Sequence, residues 1–177
     1  DSEVCSAAQN ELINPGKRLS AEISWFIDED EGTVENIRTS IENDEPISTE
    51  RLSVLSRLNA KLHNFSLSSV ANSFELAYSI LELNENYAVL DAETITDAIN
   101  QRRNEAKLGI VQVQDVVAEL DKKREEIRQL ITEKLSVLNQ DAYVKLVTRL
   151  AEKCNSDEEY SDGAVLSDVI DQYEVRM

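Results

Sequence analysis

QDVVAELDKKREEIRQLITEKLSVL, residues 114–138, is the stretch on which the fold turns. Apolar residues recur there at helical spacing. Val117, Leu120, Ile127 and Ile131 continue a series begun by Ile110 and Val113, with Arg124 interrupting. That is the pattern of one buried helix face. Charged residues fill the other positions, and Glu119–Lys123 and Glu126 beside Lys122 predict a solvated face. Gly109 follows Ala106-Lys107-Leu108, where a C-terminal helix cap would sit. A break near Gly109 and a helix of roughly 35 Å from Gln114 to Leu138 are predicted. The alternative is one continuous helix running through Gly109.

Upstream, Ile95, Ala98, Ile99 and Ala106 predict a helix opening at Asp91, with Arg102 and Arg103 beside its inner face. A helix from Ser68 to Ala88 presents Val70, Phe74, Ala77, Leu81 and Tyr78. Before a corner at Asn64 to Ser66, Ser48 or Thr49 caps a helix built on Leu52, Leu55, Leu58 and Leu62. Asp44-Glu45-Pro46 reads as the clearest linker. It divides residues 1–45, three short helices, from residues 46–177, a helical bundle, within one compact unit. The short helices are Ser2–Ile13 on Val4, Ala8 and Leu12, then Lys17 to Phe26, then Thr33–Asn43 on Val34, Ile37 and Ile41. Asn14-Pro15-Gly16 separates the first two. Downstream, Val144, Leu146, Val147 and Leu150 predict a helix from Tyr143 to Cys154, and after an acidic loop Val165–Val175 closes the chain.

Composition agrees. Only Gly 4 and Pro 2 occur in 177 residues, far too few for the turns of an all-β fold. The sequence therefore predicts an all-α fold, an irregular bundle of about eight helices with no sheet. A formal charge of −17 repels phosphate backbones and anionic lipid, which argues against nucleic-acid and membrane partners. No apolar run is long enough to span a bilayer. Cys5 and Cys154 are isolated and no signal-peptide pattern is present, so reduced thiols and a cytoplasmic location are expected.

Chemistry is constrained by one histidine. With His63 alone, metal sites that need several imidazoles have no ligands. Asp28-Glu29-Asp30-Glu31-Gly32 resembles a calcium loop only superficially, because its glycine comes one place early and position 39 is Thr. No phosphate-binding glycine loop or nucleophile elbow is found. No catalytic residue, cofactor or metal is assigned. Two features could face a partner. Trp25-Phe26, preceded by Lys17-Arg18, forms an aromatic anchor, and Arg51, Arg57 and Lys61 lie in an acid-free stretch that could draw an acidic partner. Both also have plain structural readings, as pins and ion pairs within the bundle.

Residues 8–19 resemble the tail of a J domain, whose third helix ends in an Ala-x-x-x-Leu pattern followed by Asp-Pro-x-Lys-Arg and a short fourth helix. Ala8, Leu12, Pro15, Lys17 and Arg18 match, while Asn14 stands where that family has Asp. The rest of the chain looks like the helical region that follows such a domain in some bacterial proteins. The His-Pro-Asp loop through which a J domain acts is not in the sequence, so the resemblance places it upstream of Asp1 and implies a region that holds a partner or client.

The functional expectation is a non-enzymatic helical protein-interaction region, with Lys17, Arg18, Trp25, Phe26, Arg51, Arg57 and Lys61 as partner-binding candidates. Two others stand beside it. One is a small all-α enzyme using carboxylates with Arg102 or Arg103 in an enclosed pocket. The other is a self-associating bundle that pairs Gln114–Leu138 across a homodimer.

Overall fold

The computed structural model describes residues 14–69 and 73–156, and among them it is all-α, with seven helices and no strand. These are α1 (Pro15–Ile23), α2 (Glu31–Glu42), α3 (Val54–Leu67), α4 (Ser73–Ala88), α5 (Ala92–Glu105), α6 (Val113–Ser136) and α7 (Gln140–Ser156). The helices expected at Ser2–Ile13 and Val165–Val175 lie outside the described residues, as do Cys5, Val70 and the side chains of Phe74 and Cys154.

The helix ends follow from local chemistry. Asn14-Pro15-Gly16 starts α1: Asn14 Oδ1 accepts from Gly16 N at 3.0 Å and Lys17 N at 3.3 Å, and Pro15 sits in the first turn, where its missing N–H costs nothing. The helix stops at Ile23, so Phe26 lies beyond it. Asp91 caps α5, as its sequence suggests. That helix ends at Glu105, and the break near Gly109 is real. The left-handed residue that makes it, however, is Lys107 (φ 55°). Leu108 N bonds back to Arg103 O and Lys107 N to Asn104 O, which closes the helix with its last carbonyls satisfied.

Two boundaries and one buried stripe depart from expectation. α3 begins at Val54 behind Ser53, not at Ser48 or Thr49, because Arg51 adopts a left-handed φ of 66° that no right-handed helix can pass through. Leu52 is therefore buried from a loop. α3 also runs on through Asn64 to Ser66, where a corner was expected. On α6 the buried stripe is Val116, Leu120, Ile127, Ile131 and Leu135. Ile110 lies in the preceding loop at 69% exposure, and Val117 faces outward. Glu119 and Lys123 are buried and not on the solvated face, since both lie on the rotated inner stripe. Tyr78 and Ala106 are exposed as well.

Three apolar clusters hold the helices. The largest joins Leu58 and Phe65 of α3, Leu76, Ile80 and Leu83 of α4, Ile127, Ile131 and Leu135 of α6, and Leu146, Val147 and Leu150 of α7. A second joins Leu19 and Ile23 of α1, Leu55 of α3, Ile95 and Ile99 of α5, and Val116 and Leu120 of α6. The third sets Phe26, Ile37, Ile47 and Leu52 around Ala60 of α3. Each fully buried leucine or isoleucine contributes about 2 kcal/mol by leaving water. α6 thus serves one core with its first half and another with its second, while α3 touches all three.

Candidate partner-binding site

The segment from the end of α1 to the start of α2 is held by hydrogen bonds from several other elements. Four polar side chains from elsewhere converge on it. Arg103 of α5 grips Glu22 bidentately, with Nε to Oε1 at 3.0 Å and Nη2 to Oε2 at 2.7 Å, and its Nη1 donates to Gly109 O at 3.0 Å. Arg103 is buried, so the pair is shielded from screening by solvent. Asn59 Nδ2, inside α3, donates to Ile23 O at 2.9 Å and Trp25 O at 3.0 Å. Lys123 Nζ of α6 reaches Ser24 Oγ at 3.3 Å. Arg102 Nη2 donates to Glu29 O at 3.2 Å, and Glu29 Oε1 accepts from Ser53 N at 2.8 Å.

Burial sets the electrostatics here. It pushes the Lys123 ammonium below the ordinary lysine range, partly offset by Glu126, whose Oε2 lies 3.6 Å away. Asp28 is pushed up, first by desolvation and then by the charge of Glu29, against a hydrogen bond from Ser53 and the charge of Arg102. Asp30 is held below the usual carboxylate range by the Thr33 hydroxyl and amide it caps, at 2.7 and 3.1 Å. The acidic run that mimics a calcium loop is thus a turn that leads into the Asp30 cap and the first residues of α2. Among the described residues, no group of three or more His, Cys, Asp or Glu is placed to hold a metal ion.

On this fixed loop the two aromatic candidates separate. Phe26 is buried in the third cluster, while Trp25 keeps 41% of its surface exposed. The rings meet edge to face, 5.7 Å between centroids at 73°. Beside them opens a cleft of about 500 Å³ lined by Trp25, Phe26, Ile27, Glu29, Glu31, Val34 and Arg102. Its walls are largely apolar, and its charged groups stand on the same loop (Glu29), at the start of α2 (Glu31) and on α5 (Arg102).

The basic candidates do not gather there. Lys17 and Arg18 lie in the first turn of α1, Lys17 exposed and Arg18 half-buried. Arg57 Nη2 donates to Leu52 O at 2.9 Å, and Lys61 pairs with Glu82 of α4 at 2.7 Å. Arg51 is exposed in the loop before α3. His63 Nε2 donates to Glu45 O at 3.0 Å and braces the linker. A smaller polar hollow of about 300 Å³ surrounds the Lys61–Glu82 pair.

The sequence singles out Arg102 and Arg103 beside an inner helix face but gives no sign of other residues that fix the site. Asn59 is one, and Asn64 and Asn100 work in the same way. Asn64 clamps Ile47 N and O at 2.7 and 2.8 Å, and Asn100 clamps Val111 N and O at 2.8 and 3.0 Å. The available signal was an asparagine among leucines inside a helix, where its own propensity is poor. No known protein family profile matches this chain, and no characterised protein or solved structure shows significant similarity to it. No described helix is long and apolar enough to cross a membrane.

Proposed function

We propose that this chain is a non-enzymatic protein-interaction module whose Trp25 cleft receives an apolar side chain of a partner segment. One observation carries the reading. A half-exposed tryptophan stands at the mouth of an apolar cleft, on a loop whose backbone is tied to α3 and α5. Tryptophan is favoured at binding hot spots because it buries much area with few rotatable bonds. A loop already fixed before binding loses little entropy on association. Under the J-domain resemblance, this module is the part that holds a partner beside the chaperone-recruiting domain. Pro15, Lys17 and Arg18, which match the Asp-Pro-x-Lys-Arg run of that family, lie here in the first turn of α1, with Asn14 as its cap.

Selection of a random peptide library on the full chain, with counter-selection on Trp25→Ala, tests the proposal. The expected peptides share one apolar anchor, and their binding shifts the emission of Trp25, the sole tryptophan, to shorter wavelength. Peptides that bind wild type and Trp25→Ala equally well would remove the cleft from consideration.

A further inference from the structure

Resting on the cleft reading above, we infer that the partner segment is basic, with a lysine or arginine laid across the Trp25 indole beside its apolar anchor. The charge around the cleft is one-sided. Asp28, Glu29, Asp30 and Glu31 are consecutive, and Glu29 and Glu31 line the cleft itself. Against these four carboxylates stands one guanidinium, and Arg102 is turned onto the Glu29 carbonyl. Glu31 has no side-chain partner among the described residues, so its carboxylate is available to a ligand cation. The crowding of negative charge is felt within the loop, where Glu29 helps to raise Asp28.

An acidic segment entering this cleft would meet like charges at close range, whereas a cation gains at three levels. The whole-molecule charge of −17 steers it in. Its methylene stem covers the apolar wall formed by Ile27 and Val34. Its charged head lies over an indole face, an attraction of about 0.5 to 2 kcal/mol, within reach of a free carboxylate. A second copy of the chain brings the same excess of negative charge and is a poor occupant. The site therefore selects the opposite charge from the one that Arg51, Arg57 and Lys61 suggest in the sequence.

The test uses the full chain and two labelled synthetic peptides, one leucine flanked by lysines and the same leucine flanked by glutamates, read by fluorescence anisotropy. The lysine peptide is expected to bind more tightly by on the order of tenfold or more, and to weaken severalfold as salt is raised. Glu31→Gln, an exposed change that leaves the fold alone, is expected to weaken it about threefold to tenfold, with Glu29→Gln as a second variant. Equal binding of both peptides, lost from both in Trp25→Ala, would overturn the basic-partner inference while leaving the apolar anchor standing. Lysine-peptide binding that survives Trp25→Ala unchanged would reduce the effect to general surface charge and overturn the site. Binding of neither peptide would sink the inference together with the cleft reading it rests on.

Discussion

The core shared by α3, α4, α6 and α7 and the loop joining α1 to α2 are held by different physics. Around Ile127, Ile131 and Leu146 the contacts are apolar and fully buried, and the only demand is that side chains fill space. Around Ser24 and Trp25, Arg103, Asn59 and Lys123 reach in from three helices to meet particular atoms. Apolar packing tolerates exchange of one hydrophobe for another, whereas a directed bond holds one backbone course and no other. The first region supplies stability, and the second supplies position.

The contrast can be broken from either side. Ile127→Ala opens a cavity in the large core and is expected to cost about 4 kcal/mol in urea unfolding, with the slope of the transition unchanged. Arg103→Ala strands Glu22 and frees Gly109 O, and is expected to cost about 3 kcal/mol. Arg103→Lys should recover only part of this loss, because an ammonium cannot hold both carboxylate oxygens in plane. Asn59→Ala removes two bonds to one loop and should cost about 1 to 2 kcal/mol. Its clearer signature is faster amide exchange confined to residues 22–29, with the α4–α7 contact untouched.

Lys123 sharpens the comparison in the other direction. Its ammonium loses solvation for a long contact with Ser24, so Lys123→Met should be neutral or stabilising by about 1 kcal/mol at pH 7. The pH dependence follows from the sign of the shift. With the folded pKa below the ordinary 10.5, the unfolded chain holds the proton more tightly between those two values, so stability rises with pH across that window. The stability difference between Lys123→Met and wild type, measured by urea unfolding along a pH series, should shrink there. An unchanging difference would contradict a desolvated amine. Trp25→Ala removes a side chain that keeps 41% of its surface in solvent and meets Phe26 edge to face, and it is expected to cost about 1 kcal/mol. Acrylamide should quench Trp25 readily in the wild type.

What could be read in the sequence divides along the same line. The stripes Leu146, Val147, Leu150 and Leu55, Leu58 announced helices because repetition makes a weak signal add up. Asp91 and the break near Gly109 were legible because caps are local chemistry. Trp25 and Phe26 stood out as a rare pair, yet nothing in their spacing says that one is buried and the other open. In α6, Leu120, Ile127 and Ile131 are buried as their spacing predicts, but Val116 takes the place of Val117, and Glu119 with Lys123 reads as a solvated pair because i,i+4 charges usually are. Arg103 with Glu22, and Asn59 with Trp25, are single contacts between distant positions. A single contact leaves no period in the sequence, and so the cleft could not be drawn from it.

Lys134 carries a consequence for how the chain is made. Its Nζ donates to Ser66 O at 2.8 Å and Ser68 O at 2.5 Å, and lies 5.7 Å from the Phe65 ring centroid. Two carbonyls at the end of α3, those of Ser66 and the cap residue Ser68, are thus satisfied by a residue far downstream. During synthesis, α3 emerges and waits with that end open to water until most of α6 has left the ribosome. The turn out of α3 is finished late, by the same helix that closes the large core.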